Sequence, residues 1–139
     1  MTREELKSVL PHREPMLLVD KSELIGEDKT VSEYTVRGDE FFLQGHFPGD
    51  PVVPGVILCE IMAQSSALIT RKYLEGRLAM YAGLDEVRFK KAVHPGDTVH
   101  VEAVLVEKKA MFFVIDARAT VEGKLCCSAR MSFMITDRK

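Results

Sequence analysis

The sequence predicts an α+β fold in which a curved antiparallel sheet wraps around one long buried helix. Three observations support it: two strand-like segments near the N-terminus, one long apolar segment of helical character, and a series of β-rich segments in the C-terminal half. A helix that is apolar on nearly every side must be covered on most sides, and a folded sheet is the simplest cover. Because 139 residues, 46% of them hydrophobic, suffice for one sizeable core, we expect residues 1–139 to form a single domain.

The N-terminal third predicts a short helix followed by a β-hairpin. Thr2 and Glu5 have the spacing of a capping box, so we expect a brief helix that ends at Pro11. The segments 16–26 and 29–36 are rich in apolar and β-branched residues and flank a short polar turn. This pattern indicates two strands joined as a hairpin.

The segment from Gly55 to about Leu74 predicts the long helix. Pro54 suits a first helical position, and no helix-breaking residue follows until Gly76. The first half of the segment is almost entirely apolar, and Glu60 is its only charged side chain. Burial of an ionised carboxylate costs several kcal/mol unless the group is paired or protonated, so Glu60 requires a structural or a functional reason.

The four segments after this helix predict an antiparallel meander. They are rich in β-branched and aromatic residues, and turn signals separate the later ones at 95–96, 108–109 and 122–123. Within 112–121, apolar residues alternate with more polar ones, which is typical of a strand that buries one face.

Composition excludes several classes of partner and location. The formal net charge is −2 and charges of both signs are interspersed, so no overall positive field would hold nucleic acid or an anionic membrane. The N-terminus lacks an apolar leader, and the longest apolar stretch is interrupted by polar residues. The odd set of cysteines, Cys59, Cys126 and Cys127, has no C-x-x-C spacing and suits a reducing compartment. We therefore expect a soluble, cytoplasmic protein without nucleic-acid or membrane partners.

Motif spacing excludes most cofactor chemistry. The four histidines show neither H-x-x-x-H nor H-E-x-x-H spacing, and no cysteine completes a zinc site, so we expect no metal. The nine glycines form neither a dinucleotide fingerprint nor a Walker loop, and no G-x-S-x-G elbow is present. We expect no cofactor and no serine hydrolase activity.

His46 and Glu60 remain as candidates for chemistry. Taken alone, His46 is compatible with a structural histidine in a proline-rich loop, and Glu60 with a buried polar anchor capped by Gln64. Together, an imidazole that titrates near pH ~6.5 and a carboxyl whose pKa is raised by burial would offer a base and an acid at the same pH. The backbone N–H groups at the helix start, near Gly55, would stabilise an oxyanion. Base, acid and oxyanion donor are the set required to eliminate water next to a carbonyl.

Three stretches of the sequence are similar to the signature stretches of a known enzyme family. They are LPHREPMLLVD at 10–20, GHFPGDPVVPGVILCEIMAQ at 45–64 and AGLDEVRFKKAVHPGD at 82–97. In these stretches the chain resembles bacterial (3R)-hydroxyacyl-[acyl carrier protein] dehydratases of the FabZ type, which have a hot-dog fold. The resemblance implies dehydration of a (3R)-3-hydroxyacyl-[acyl carrier protein] to the trans-2-enoyl product in fatty acid biosynthesis, without a cofactor.

The same resemblance implies roles for particular residues. His46 corresponds to the catalytic histidine and Glu60 to the catalytic carboxylate. Gly55 and Val56 correspond to the oxyanion and substrate-binding positions at the helix start, and Gln64 to the glutamine that orients the carboxylate. The implied substrate is an acyl chain on the phosphopantetheine arm of acyl carrier protein.

Family members also imply an assembly and a docking surface. The resemblance implies a homodimer in which each site takes His46 from one subunit and Glu60 from the other, with further assembly to a trimer of dimers. Acyl carrier protein is acidic, so we expect a basic rim around the site. The candidates for this rim are Arg71, Lys72, Arg88, Lys90 and Lys91.

Two other functions are compatible with the same residues. A hot-dog acyl-CoA thioesterase would use the helix carboxylate to activate water and would not need the histidine. A non-catalytic acyl-binding module would keep the pocket and lack both activities. The product formed from a 3-hydroxyacyl thioester separates the three possibilities.

Overall fold

The computed structural model describes residues 1–137, so the last two residues of the expected domain, 138 and 139, lie outside the described part of the chain. Within residues 1–137 the strands are β1 Lys21–Ile25, β2 Lys29–Thr35, β3 Arg77–Phe89, β4 Thr98–Lys109, β5 Phe112–Val121 and β6 Lys124–Asp137. The helices of the same range are α1 Arg3–Leu6, α2 Gly55–Ser65 and α3 Ala67–Thr70, with 3₁₀ turns at Phe41–Leu43 and Arg71–Tyr73.

The capping box that begins α1 is confirmed. Thr2 Oγ1 accepts a hydrogen bond from the Glu5 N–H at 3.3 Å, and Glu5 Oε1 accepts one from the Thr2 N–H at 3.0 Å. The regular helix ends at Leu6 and not at Pro11. The turn that follows is tighter, because the Ser8 N–H donates to the Glu5 carbonyl at 3.1 Å, three residues back.

The hairpin of β1 and β2 forms with its turn at the predicted place, but β1 begins at Lys21 instead of Met16. The backbone between Met16 and Leu18 is bound to a side chain of α2. Gln64 Oε1 accepts from the Leu18 N–H, and Gln64 Nε2 donates to the Met16 carbonyl, both at 2.7 Å. Residues 16–20 form no strand, so the prediction of a strand from Met16 is wrong at its start, and this segment is bound to the helix instead of extending β1.

The prediction of one helix from Gly55 to about Leu74 is wrong in its continuity. Helix α2 ends at Ser65, and the helical path resumes as α3 and a 3₁₀ turn. At the break, the Ala63 carbonyl accepts hydrogen bonds from Ser66 N at 3.2 Å and from Ser66 Oγ at 2.7 Å. A hydroxyl that bonds the carbonyl three residues back favours a tight turn over continuation of the α-helix.

The strands of the described chain form one antiparallel sheet in the order β1-β2-β4-β5-β6-β3. Strands β4, β5 and β6 form the predicted meander. Strand β3 pairs with β6 and not with β4, so the prediction of a meander through all four segments is wrong. The connection from β3 to β4 instead crosses to the middle of the sheet. It is held there by the buried Val93, whose carbonyl accepts from the Val53 N–H at 2.8 Å.

The core lies between α2 and one face of this sheet. Helix α2 packs against β2, β4, β5 and β6, and its residues Ile61 and Met62 are fully buried. On β5 the alternation is confirmed, because every second residue faces the core: Phe113, Ile115, Ala117 and Ala119. A sheet wrapped around a central helix is the hot-dog arrangement, which confirms the predicted α+β class. Among residues 1–137, no helix has the length and apolar character needed to cross a membrane.

Candidate active site

His46 lies in a tightly bonded loop before α2. The His46 N–H donates to the Leu43 carbonyl at 3.1 Å, and the His46 carbonyl accepts from the Val52 N–H at 2.9 Å. The imidazole Nδ1 lies 3.0 Å from the Val52 carbonyl oxygen. A carbonyl oxygen can only accept, so Nδ1 carries the proton and Nε2 presents a lone pair. The loop therefore fixes both the ring and the tautomer that a general base requires.

A buried carboxylate that sequence reasoning missed holds the segment leading to this loop. Glu40 accepts hydrogen bonds from the Tyr34 hydroxyl at 2.5 Å, the Arg37 N–H at 3.0 Å and the Gly38 N–H at 2.8 Å. Burial favours the neutral acid, but these donors outweigh it and lower the pKa of the Glu40 carboxyl below its ordinary value. The sequence signal for a turn in this segment is Gly38, two residues before Glu40. Glu40 is thus a structural anion of the loop that carries His46.

The start of α2 offers two backbone donors. The first N–H groups that bond to the chain at this end belong to Ile57 and Leu58, which reach the Pro54 carbonyl at 2.9 and 3.2 Å. Across the described residues, the N–H groups of Gly55 and Val56 have no hydrogen-bond partner. They stand at the positive end of the helix dipole, where an oxyanion is stabilised.

The missing side chain of Gly55 makes room for an aromatic ring. A Cβ at this position would lie 2.8 Å from Phe89 Cε1, closer than carbon atoms pack. Phe89 itself is 56% exposed. A side chain at position 55 would therefore displace the exposed Phe89 ring.

His46 and the start of α2 line one shallow depression. Its walls include the flexible basic side chains that follow β3 as well as the apolar rim of the helix start. The residues are His46, Val53, Pro54, Gly55, Val56, Leu58, Phe89, Lys90, Lys91 and Ala92. The predicted base, the predicted oxyanion donors and two of the predicted basic rim residues therefore meet here.

Glu60 lines a different, more enclosed cavity. Its Oε2 accepts a hydrogen bond from Gln64 Nε2 at 2.8 Å, which is the predicted contact between the two side chains. The Nε2 atom of His12 lies 3.4 Å from the same oxygen. The remaining wall is mostly apolar and includes Leu10, Ala63, Leu78, Tyr81 and Phe133. The carboxylate thus sits at a polar corner of an apolar cavity.

Within one chain the predicted catalytic pair is not brought together. The depression that holds His46 does not include Glu60, and the cavity that holds Glu60 does not include His46. Each half of the acid-base pair is therefore positioned separately, one by the loop before α2 and one by the middle of α2.

Two residues of the Glu60 cavity were not identified as functional from the sequence. His12 belongs to the LPHR stretch, whose similarity to the family was the only available signal. The Tyr81 hydroxyl donates to the Cys59 carbonyl at 3.0 Å. Burial, with the neighbouring Glu60 and Cys59, raises the pKa of Tyr81 above its ordinary value, so this hydroxyl keeps its proton.

No group of three or more metal-ligating side chains is close enough to hold an ion among the residues described.

Solved structures of similar shape identify the class of fold. The dehydratase heterocomplex ApeI:P from Xenorhabdus doucetiae matches 96% of this chain and 91% of its own chain, with a TM-score of 0.82 and 20% identity. A hypothetical thioesterase with coenzyme A from Streptococcus pneumoniae TIGR4 matches 99% of both chains, with a TM-score of 0.67 and 15% identity. At such low identity these likenesses show the shared hot-dog fold alone.

Sequence comparison identifies the family. The family model described as a FabA-like domain matches residues 10–130. The 3-hydroxyacyl-[acyl-carrier-protein] dehydratase FabZ of Clostridium perfringens (strain SM101 / Type A) is 44% identical over 137 residues, which cover 97% of this chain and 99% of the relative. The protein of the same name from Streptococcus pneumoniae (strain CGSP14) is 42% identical over 134 residues, covering 95% and 96%. The chain belongs to the FabA-like family, and among its members it is of the FabZ type.

Proposed function

We propose that the protein dehydrates (3R)-3-hydroxyacyl-[acyl carrier protein] to the trans-2-enoyl thioester in fatty acid biosynthesis. The observation that carries the proposal is the 44% identity, over nearly the full length of both chains, to a relative that bears this name. The site supports it, because a histidine with a free Nε2 and a carboxyl at the corner of an apolar cavity are the acid-base groups that this elimination requires.

The reaction follows from these groups without a cofactor. The thioester carbonyl oxygen would accept from the Gly55 and Val56 N–H groups, which stabilise the enolate as it develops. His46 Nε2 removes a proton from C2, the released electron pair forms the C2–C3 double bond, and the C3–O bond breaks. Glu60 gives its proton to the departing hydroxyl, which leaves as water. Return of a proton from His46 to Glu60 by way of solvent restores the starting state.

The roles of His46 and Glu60 are tested by substitution. A positioned proton-transferring group contributes about 10²- to 10⁴-fold to rate, so His46→Ala and Glu60→Gln should each lose that much dehydration while remaining folded. The assay follows the enoyl product from a 3-hydroxyacyl thioester by absorbance. Near-native turnover in either variant would remove that residue from the mechanism.

The assay also separates the alternative functions. Release of free thiol from a saturated acyl thioester would identify a thioesterase. Binding of the acyl chain without enoyl product or free thiol would identify a non-catalytic module.

We further propose that each site forms between two subunits. This is supported by the separation of His46 and Glu60 into different cavities of one chain. It is also supported by β3, which pairs within the described chain only with β6 and exposes the apolar side chains of Met80 and Leu84. An unpaired strand edge with apolar side chains is suited to pairing with a second copy. Assembly of three such dimers is proposed from the family resemblance, and sedimentation equilibrium measures it directly.

Mixed refolding tests the shared site. His46→Ala and Glu60→Gln subunits are unfolded together and refolded, so that half of the dimers contain one of each. In a mixed dimer with shared sites, one site carries both defects and the other carries neither, so the mixture should recover about a quarter of native activity, as expected for a two-fold interface. If both residues of a site came from one chain, mixing would restore nothing.

We propose acyl carrier protein as the partner and Lys90 and Lys91 as its first contacts. Both line the depression that holds His46, whereas Arg71 and Lys72 line a separate groove beside Leu24. Lys90→Glu should therefore raise KM for the carrier-protein substrate and leave kcat with a small thioester unchanged. Lys72→Glu is the matched control. An equal effect of the two substitutions would contradict this docking site.

We also propose that residues 1–139 form one domain and that the protein works in the cytoplasm. The three cysteines are unpaired and buried, and free thiols of this kind are typical of a reducing compartment.

A further inference from the structure

Gln64 and His12 both approach one oxygen of the Glu60 carboxyl group. Gln64 Nε2 lies 2.8 Å from Glu60 Oε2, and His12 Nε2 lies 3.4 Å from the same atom. Oε1 receives neither contact. Gln64 is almost fully buried, whereas the His12 side chain is 33% exposed and lines the cavity beside the carboxylate. Both contacts are thus made to Oε2, and Oε1 accepts no hydrogen bond from the described residues.

The backbone that carries His12 is fixed by an adjacent guanidinium. Arg13 Nη1 donates to the His12 carbonyl at 2.7 Å and to the Leu10 carbonyl at 2.9 Å, and Arg13 Nη2 donates to the Lys7 carbonyl at 3.1 Å. Three carbonyls held by one planar group leave this turn little freedom. The position of the imidazole is therefore set by its own segment as well as by the contact with Glu60.

The two ring nitrogens of His12 differ in their surroundings. Nδ1 is buried and has no hydrogen-bond partner among residues 1–137, whereas Nε2 faces the Glu60 carboxyl group. A neutral imidazole has one N–H donor, and a buried donor without a partner is costly. The neutral tautomer that gives this N–H group a partner carries the proton on Nε2, which faces the Glu60 carboxyl group.

We propose that His12 is a positioning residue for the dehydration, because its Nε2–H donates to Glu60 Oε2 and, with Gln64, leaves Oε1 to act on the substrate. This inference rests on the proposed function above. When the carboxyl is neutral, two donors aimed at Oε2 place the acid proton on Oε1. When the proton has passed to the leaving hydroxyl, the same donors stabilise the carboxylate that remains.

Two substitutions separate this role from that of a cavity wall. In His12→Gln the amide nitrogen replaces Nε2 and still reaches Glu60. In His12→Asn the amide nitrogen replaces Nδ1 and falls short. We expect His12→Asn to lower kcat about 10- to 100-fold with KM within about two-fold, and His12→Gln to recover most of this loss, as for a hydrogen bond that acts mainly in the transition state. His100→Asn is the matched control, because His100 lies beside a carboxylate, that of Glu33, outside the cavity.

Each outcome decides the proposal. Native kcat in His12→Asn, an effect on KM alone, or an equal loss of kcat in the Asn and Gln variants would overturn it. If the variants fail to fold, ¹⁵N spectra of labelled histidine in the unaltered protein remain. A proton on Nε2 of His12 supports the proposal, and a proton found only on Nδ1 overturns it.

Failure of this inference and failure of the proposed function give different results. If the unaltered protein forms no enoyl product, the dehydratase function is wrong, and the role of His12 in it is wrong as well. If the unaltered protein is active and His12→Asn is equally active, only the role of His12 is wrong.

Discussion

Substitution of Gln64 by leucine should destabilise the fold measurably, because Gln64 joins the N-terminal segment to α2. Its side chain is 3% exposed and makes three hydrogen bonds, to the Leu18 N–H, the Met16 carbonyl and Glu60 Oε2. Leucine fills nearly the same volume, so the expected cost comes from the partners that lose a bond.

The three partners do not contribute equally. The Leu18 N–H is in a residue only 1% exposed, and a buried donor without a partner costs about 1–3 kcal/mol. Met16 is 38% exposed, so water can solvate its carbonyl. The Glu60 side chain is 21% exposed, and loss of one bond to it adds about 1 kcal/mol after allowance for solvent. We therefore expect Gln64→Leu to lower the free energy of unfolding by about 2–4 kcal/mol.

Urea denaturation at one fixed protein concentration measures this change, since the stability of an oligomer depends on concentration. Gln44→Leu is the matched control: Gln44 is exposed, and its substitution should change the free energy of unfolding by less than about 0.5 kcal/mol. A double-mutant cycle with Glu60→Ala, which removes the acceptor, isolates the contact between the two side chains. If Gln64→Leu were as stable as the Gln44→Leu control, the argument that Gln64 holds the segment to the helix would be refuted.

Three further outcomes are expected. Because folding lowers the pKa of Glu40, the stability that its ionised form contributes is complete above the unfolded-state pKa of about 4.3 and is lost as the pH falls through the folded-state pKa. Glu40→Gln should therefore lower the free energy of unfolding at pH ~7 and flatten its dependence on pH on the acid side. An unchanged pH dependence on the acid side would contradict this. Gly55→Ala should lower kcat by displacing the Phe89 ring, and the additional change Phe89→Ala should relieve it; no relief would show that the ring is not the cause. Activity should survive exhaustive chelation without added nucleotide, and loss of turnover with removal of a stoichiometric metal would disprove this expectation.

Local features of the site were predictable from the sequence, because they depend on short spacings. Glu60 and Gln64 are four residues apart on a helix, so their contact follows from helix geometry. The prolines around His46 predicted that it lies in a loop, and the structure shows the ring bonded to the backbone of that loop. The capping box at Thr2 was predictable for the same reason.

Features that depend on which of several hydrogen-bonding, strand-pairing or tertiary partners a residue takes were not predictable from the sequence. The break at Ser66 depends on a hydroxyl that bonds the preceding turn, a choice that helix propensity does not reveal. The pairing of β3 with β6 depends on the buried crossover at Val93, which periodicity cannot distinguish from a simple turn. The contact of His12 with Glu60 joins residues 48 positions apart, and only the tertiary fold brings them together.

The docking of the N-terminal segment on α2 and the burial of the Glu60 carboxylate depend on the same contacts. A carboxyl group in the middle of an apolar helix is costly unless donors surround it, and α2 itself supplies only Gln64. The second contact, from His12, comes from the segment that precedes β1, and Gln64 ties the backbone of the same segment to the helix. Residues 16–18 are therefore bound to α2 in place of extending β1, although their composition suits a strand. Docking of this segment and positioning of the Glu60 carboxyl group are thus one structural event, so a substitution that loosens the segment should impair the site even where it contacts no substrate.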